Sequence, residues 1–217
     1  MSSTTVWAAA IAVAGVAGLA GASQTATFSD GPGDVGGGEF TAVTSDHGTF
    51  KTFCLEYYEP LDIFGGTVYE YTISTEAMYD GGGLGNTDPL DSRSAFIFQR
   101  FVDGQIRNLL NDQGLSDTRV ANAVQIALWD VEQEGVNFTF HPDYANSQAL
   151  IAAANTAIGN GSWSGLGNVR VMNNWVQGLV GNPDGARQDT LIIVPLPSAA
   201  AFAGVGLIGL ATLRRRK

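Results

Sequence analysis

Apolar and polar residues alternate with a period of two towards both ends of the chain, whereas its middle repeats with helical spacing. Alternation of this kind predicts strands that bury one face. We expect strands within residues 27–56 and towards the C-terminal end, at the following segments: 39–44, 49–56, 67–73, 169–172 and 189–194. A turn at Asp46-His47-Gly48 separates the first two, because glycine at such a position favours reversal of the chain.

The middle of the chain carries apolar residues at helical spacing and predicts three helices, at residues 92–112, 118–134 and 147–158. Gly114 and Gly135 would end the first two helices, and Asp117 would cap the second. The expected fold class is therefore α+β: an antiparallel β-sandwich or barrel with an inserted helical subdomain at about residues 92–160. An N-terminal signal helix and a C-terminal transmembrane helix complete this expectation.

Both ends of the chain are apolar and indicate export. Residues 6–22 form an apolar run that closes on Ala20-x-Ala22, the small-x-small pattern of a signal-peptidase site. We therefore predict a signal peptide at residues 1–22, although no Lys or Arg precedes the run and an uncleaved anchor is the alternative. At the other end, apolar residues 199–213 predict a short transmembrane helix. The cations that follow it, Arg214, Arg215, Arg216 and Lys217, would stay in the cytoplasm.

The C-terminal segment also contains a short proline motif, Val194-Pro195-Leu196-Pro197, before the apolar helix and the arginines. This layout resembles the PEP-CTERM sorting tails of Gram-negative bacteria, in a variant form with Leu196 in place of glutamate. The resemblance implies processing by an exosortase-like membrane protease. It also implies transfer to the cell envelope, the cell surface or the extracellular matrix, with membrane anchoring at least before processing. A plain single-pass anchor is the alternative. The chain then divides into a signal peptide (1–22), an ectodomain (23–194) and a sorting signal (195–217).

Charge and cysteine content exclude two classes of protein. Without its two ends, the chain holds 7 basic and 21 acidic residues, a net charge of −14. Such a surface repels phosphates, so no nucleic-acid partner is expected. Cys54 is the single cysteine, which excludes an internal disulfide framework. The thiol is then buried and inert, paired with another chain, or used chemically.

Candidate chemistry lies in two short segments, one carrying a thiol and the other a carboxamide that could react with it. Cys54 sits in the apolar strand 52–56, and Gln125 sits in a helical run where Asn122 is the other polar residue between positions 120 and 129. That run predicts a buried helix, in which an unpartnered carboxamide costs about 1–3 kcal/mol. A thiol beside a carboxamide can expel ammonia and leave a thioester. Trp129, one turn after Gln125, would shield that bond. Alternatively, Gln125 pairs with a strand backbone and Cys54 only fills space.

The two segments resemble the thioester domains of bacterial surface adhesins, in which a Phe/Tyr-Cys strand meets a Gln-x-Ala-x-Trp helix. The resemblance covers roughly residues 50–132, and Val124 stands where that family usually has threonine. It implies a Cys54–Gln125 thioester that is attacked by an amine or hydroxyl on a surface or matrix partner. Such a protein attaches once and is not a turnover enzyme. A non-catalytic structural protein of the matrix or biofilm, with an unreacted Cys54, is the alternative.

Other candidate chemistry is sparse. His47 and His141 are far apart in sequence and no His/Cys ligand spacing is present, so we expect neither a metal nor a cofactor. A Cys54–His141 hydrolytic pair would still need a third residue to orient it. The acidic positions Asp130, Glu132 and Glu134 are expected to form the solvated end of a helix.

Overall fold

The computed structural model describes residues 23–78, 88–112 and 114–195. The predicted signal peptide lies outside these residues, as does the predicted tail from Leu196 onward. Within the described ranges, no helix is both long enough and apolar enough to cross a bilayer.

A six-stranded antiparallel sheet forms the larger part of the fold. Its spatial order is β3-β2-β1-β4-β7-β8. The strands are β1 (Thr25–Asp30), β2 (Phe40–Thr44), β3 (Gly48–Thr52), β4 (Tyr69–Ser74), β7 (Val169–Val176) and β8 (Ala186–Ile193). The short strands β5 (Glu76–Ala77) and β6 (Asp88–Pro89) pair separately.

The chain beyond β3 joins the two edges of this sheet. Leu55 N donates to Asp189 O over 2.9 Å, and Leu191 N on β8 donates to Phe53 O over 3.3 Å. Cys54 lies between these two bonds as a bridge partner of β8. Because the residues that directly follow β3 are hydrogen-bonded to β8, the strand at the opposite edge, the sheet closes into a barrel, and Cys54 lies on its seam.

Four helices, not the three predicted, lie between β6 and β7: α1 (Ser92–Val102), α2 (Ile106–Leu109), α3 (Asp117–Val131) and α4 (Tyr144–Gly159). The expected helix 92–112 is interrupted because Gly104 takes a φ of 69°, which ends a right-handed helix. The cap of α3 is Ser116, whose side chain accepts from Arg119 N, and Asp117 is instead the first helical residue. The α+β class with an inserted helical unit is confirmed.

Several strand boundaries differ from the prediction. β1 has no counterpart among the specific segments expected, and β7 continues four residues beyond position 172. This extension carries buried polar side chains that mask the apolar pattern. Asn174 is completely buried and donates to Gln188 O over 2.8 Å and to the Thr190 hydroxyl over 3.2 Å. Polar groups paired in this way are compatible with a buried strand.

Helix α3 contributes to two apolar clusters. One joins the helices to the sheet and includes Phe98, Val124 and Leu128. The other contains Ile126 and Trp129 of α3, together with residues from one face of the sheet and Cys54. A helix packed in both directions is buried on nearly every side, which is why its sequence is apolar all round.

Candidate functional site

The carboxamide of Gln125 faces the backbone of Cys54. Gln125 Oε1 accepts from Cys54 N over 3.1 Å, and Gln125 Nε2 donates to Cys54 O over 2.8 Å. The structure thus brings together two residues separated by 71 positions in the sequence. The glutamine side chain occupies the place that a neighbouring strand would take in a β-ladder.

These two hydrogen bonds matter because both residues are buried. Gln125 is 0 % exposed and Cys54 is 5 % exposed. An unpaired amide at such a position would destabilise the fold by about 1–3 kcal/mol. The structure therefore shows the backbone-paired arrangement that the sequence left open as one alternative. The same arrangement holds the amide carbon of Gln125 next to the residue that carries the thiol.

Aromatic rings cover the site. Trp129 stacks on Phe138 with ring centroids 5.5 Å apart and an interplanar angle of 14°, and Tyr57 meets it edge-on at 4.9 Å. Trp129 also lines a cavity of about 380 Å³ that reaches Cys54. The indole of Trp129 and the side chain of Cys54 therefore line the same cavity.

A glycine-rich loop, residues 31–38, passes over the site, and sequence analysis did not connect this loop with the chemistry. Asn122 holds the loop, since its Oδ1 accepts from Asp34 N over 2.9 Å and its Nδ2 donates to Asp34 Oδ1 over 2.7 Å. The signal for this role was present in the sequence. Asn122 is the second polar residue of the buried run and lies one helical turn before Gln125.

The cavity beside Cys54 has an acidic lining. Asp30, Asp34 and Glu59 contribute to it, and no Lys or Arg is found among the described residues that line it. Lys51 instead lines a separate cavity of about 900 Å³, where its ammonium group lies 2.8 Å from Glu39. Lys51, the one lysine of residues 23–194, therefore lies in a different cavity from Cys54.

A group of carboxyl side chains lies close to the seam, and this too was not anticipated. The carboxyl of Glu56 is buried, and Glu59, Asp189 and Glu134 are its acidic neighbours. Among described residues, neither oxygen of Glu56 has a conventional hydrogen-bond donor. A buried carboxyl without a donor is less costly in its neutral, protonated form.

Burial governs the protonation of this group. Burial, followed by the effect of the neighbouring carboxyl groups, raises the pKa of Glu56 to about 11. Burial also raises the pKa of Asp189 to about 8, although hydrogen bonds from Met78 N and Asn173 act in the opposite direction. Both carboxyl groups are therefore largely protonated at neutral pH.

The pKa of the cysteine thiol is raised as well. Burial, and secondarily the charge of Glu56, raises the pKa of Cys54 above that of an ordinary thiol. Cys54 is therefore protonated at neutral pH, and it becomes nucleophilic only if a nearby base accepts its proton.

The expectation of a solvated acidic helix end is wrong for two of its three residues. Asp130 is exposed, but Glu134 is buried and accepts from Tyr57 N over 3.0 Å. Glu132 accepts from Asp91 N over 3.3 Å, and burial raises its pKa to about 7. Both side chains turn back to satisfy backbone N–H groups.

The remaining candidates lie away from the cavity. His141 does not line it, and its Nδ1 accepts from Asp143 N over 3.1 Å. His47 lies near Asp46 in the lining of the larger cavity. No group of three or more His, Cys, Asp or Glu in the described ranges could hold a metal ion.

The described part of the proposed sorting motif consists of its first two residues. Val194 N donates to Asn168 O over 2.8 Å, and Pro195 is exposed at the end of the described chain. Leu196, Pro197, Arg214, Arg215 and Arg216 lie outside the described residues.

Comparison with known proteins gives one structural likeness. The chain matches no protein-family model and no curated protein sequence. Among solved structures, it is similar to the N-terminal thioester domain of fibronectin-binding protein SfbI from Streptococcus pyogenes. The TM-score is 0.48 and the identity 11 %, over 80 % of this chain and 94 % of that chain.

Proposed function

We propose that this chain is a bacterial surface or matrix protein that attaches covalently to a partner through a Cys54–Gln125 thioester. The observation that carries the proposal is the pair of hydrogen bonds between the Gln125 carboxamide and the Cys54 backbone. These bonds fix the acyl carbon beside the cysteine before any reaction occurs. Positioning of this kind is a large part of what an intramolecular acyl transfer requires.

The bond-forming step would proceed as an acyl substitution. Sγ of Cys54 attacks Cδ of Gln125, the C–N bond breaks, and the nitrogen leaves as ammonia after gaining a proton. During attack, negative charge develops on Gln125 Oε1, which already accepts from Cys54 N over 3.1 Å. That N–H group would stabilise the developing oxyanion, as backbone donors do in acyl-transfer enzymes.

Attachment would follow when a nucleophile of the partner attacks the same carbonyl carbon. A new bond forms to the Gln125 acyl group, the C–S bond breaks, and Cys54 regains its proton. The acidic cavity lining of Asp30, Asp34 and Glu59 attracts a cationic partner group, which favours a primary amine over a hydroxyl. The ammonium group releases one proton to solvent before its nitrogen attacks, and its second proton is the one that Cys54 regains. The acyl group stays on the partner, so each molecule reacts once and the protein is not a turnover enzyme.

A structural protein without a reactive bond is the second candidate function. The observation in its favour is that both polar atoms of the Gln125 carboxamide already have partners. Under this alternative, Gln125 only completes the barrel seam and Cys54 fills the space beneath Trp129.

Intact mass distinguishes the two functions. The purified protein should lack one ammonia relative to its sequence, and the Cys54→Ala variant should show the full mass. With methylamine, the native protein should gain one adduct and one titratable thiol together. A folded wild-type protein with its full mass and no adduct would contradict the thioester and support the structural function.

Export and sorting form the second part of the proposal. They are supported by the apolar run that ends at Ala22 and by the motif, apolar segment and arginines at the C-terminal end. We propose that an exosortase-like membrane protease processes the tail near Pro197. The ectodomain would thereby reach the cell surface or the extracellular matrix.

A further inference from the structure

The reacting carbonyl of the proposed site is closed to solvent. Gln125 is 0 % exposed and Cys54 is 5 % exposed. An amine carried on a partner molecule must come within about 3–3.5 Å of the acyl carbon of Gln125 before it can attack. A group that covers the site therefore has to move before attachment takes place.

The glycine-rich loop, residues 31–38, is the outer cover of the site. Its residues Asp34 and Gly36 are exposed to solvent. On its inner side, a Cβ atom on Gly37 would sit 2.8 Å from the Trp129 ring and 3.3 Å from Gln125 Oε1. The loop backbone thus lies directly over both the indole and the oxygen of the reacting group.

The two ends of this loop meet each other. Glu39 N donates to Pro32 O over 2.9 Å, and a Cβ atom on Gly38 would sit 2.8 Å from the same oxygen. Gly33 and Gly38 have φ values of 129° and 147°, a conformation that residues with a side chain rarely adopt. A loop with joined ends can move as a unit, and glycines on both sides of its tip, residues 34–37, can absorb the change in backbone angles.

Two kinds of contact between described residues hold the tip in place. The first is polar: Asn122 Oδ1 accepts from Asp34 N over 2.9 Å, and Asn122 Nδ2 donates to Asp34 Oδ1 over 2.7 Å. The second is apolar, since Val35 is 9 % exposed and belongs to the same cluster as Trp129. Asn122 is itself fixed, because its Nδ2 also donates to buried Asp143 over 3.3 Å.

We propose that residues 34–37 form a lid over the Cys54–Gln125 site, and that the Asp34–Asn122 pair determines which amines react. A small amine enters the cavity of about 380 Å³ that reaches Cys54 with little movement of the lid. An amine attached to a larger molecule requires the whole tip to swing away on its two glycine hinges. This inference rests on the proposed thioester function and adds the residues that determine its specificity.

Opening of the lid acts as an equilibrium that precedes the reaction. The rate for a large amine is reduced by the fraction of molecules in which the lid is open. Any change that favours the open state should therefore raise that rate by the same factor. The rate for a small amine should change much less, because it depends less on the open state.

The test compares Asp34→Ala with Asp30→Ala in the full chain. Both aspartates are exposed and line the same cavity, so each substitution removes one negative charge from it. They differ in their partners: the carboxylate of Asp34 accepts from Asn122, whereas that of Asp30 accepts from the adjacent Gly31 N over 3.1 Å. Asp30→Ala is therefore the matched control for the loss of charge.

Three quantities are measured for each protein. Intact mass gives the loss of ammonia, and the rates of adduct formation are compared for methylamine and for Nα-acetyl-lysine methylamide. Amide hydrogen exchange of residues 35–37 reports the opening of the lid. Circular dichroism and thermal melting establish that each variant is folded.

We expect Asp34→Ala to raise the rate of the larger amine relative to methylamine about tenfold, because one hydrogen bond of the lid is lost. Hydrogen exchange of residues 35–37 should accelerate by a similar factor. Asp30→Ala should slow both amines alike and leave their ratio unchanged.

Two outcomes would overturn the lid alone. One is an unchanged ratio in folded Asp34→Ala that has lost its ammonia. The other is an equal change of the ratio in Asp30→Ala, because charge and not the bond to Asn122 would then set it. A wild-type protein that keeps its full mass would overturn the thioester and this inference with it.

Discussion

The backbone of Gly37 lies directly against the indole ring of Trp129. A Cβ atom at position 37 would sit 2.8 Å from Cη2 and 2.9 Å from Cζ2 of the ring, and 3.3 Å from Gln125 Oε1. Side chains do not tolerate such distances without moving. Glycine at this position therefore allows the loop to seal the site from above.

Substitution of Gly37 should disturb the packing of the loop against the indole ring. Gly37→Ala should lower the free energy of unfolding by about 1–3 kcal/mol, because the added methyl group displaces the indole or the loop. It should also speed hydrolysis of the thioester, measured as gain of one water by intact mass over time. Gly159→Ala is the control, because a Cβ there meets nothing within 4 Å. It should leave the hydrolysis rate unchanged and should not lower the free energy of unfolding, since alanine at a helical position is at least as stable as glycine.

A double-mutant cycle separates the hydrogen bonds of Gln125 from a covalent bond. In a Cys54→Ala background, Gln125→Leu should cost about 1–3 kcal/mol per backbone group left unpaired, since Cys54 contributes those groups whatever its side chain. In the wild-type background the cost should be larger, because the crosslink is lost too. Denaturant unfolding gives all four values. Equal costs in both backgrounds, within about 0.5 kcal/mol, would show that no crosslink joins the two residues.

Asn122 should control the glycine-rich loop. Asn122→Ala removes both bonds to Asp34 and should lower the free energy of unfolding by about 1–3 kcal/mol. Amide hydrogen exchange at Asp34 should accelerate. Asn146→Ala is a suitable comparison, since its one bond to Asp143 is 3.4 Å long, and it should have a much smaller effect. Unchanged exchange at Asp34 in Asn122→Ala would contradict this role.

Stability should fall as the pH rises from 5 to 8. Burial raises the pKa of Glu56 and of Asp189 above their ordinary values, so the folded state holds protons that the unfolded state has released. Each such proton decreases the free energy of unfolding by about 1.4 kcal/mol per pH unit within this window. Carboxyls with a lowered pKa, such as Asp46, Asp62 and Asp91, act mainly below it.

The amide of glutamine resembles a protonated carboxyl but does not titrate. Glu56→Gln should therefore flatten the pH dependence and raise the melting temperature at pH 8. Thermal melts of the two proteins at pH 5 and pH 8 test this expectation. A wild-type protein that is more stable at pH 8 than at pH 5 would contradict it.

The arginines at the C-terminal end should be needed for processing. Replacing Arg214, Arg215 and Arg216 with neutral residues removes the charges expected to hold that end in the cytoplasm. We expect unprocessed or mis-sorted precursor, detected by its size and by its absence from the cell surface. Normal processing and display in this variant would refute the sorting-tail proposal.

The sequence by itself determined the burial of α3 and the α+β class. Periodicity reports which face of an element avoids water, and residues 120–129 of α3 are buried on every face. The isolated polar residues of that run also identified Gln125 as a side chain in need of a partner. The local backbone conformation was harder to predict from the sequence. Gly104 divides the predicted helix 92–112, because a single positive φ interrupts a helix whatever the spacing of the apolar residues around it.

Only the tertiary structure decided which groups meet at the site. The closure of the barrel places Cys54 on the seam beneath Gln125, and it carries Asp189 of β8 to Glu56. No local pattern records these contacts, because they depend on strands separated by more than 100 residues. The role of the glycine-rich loop likewise depends on packing, because only the folded chain brings its backbone against Trp129. Sequence encodes the preference of each side chain for water or for the interior, whereas the partner it finds there is set by the packing of the whole chain.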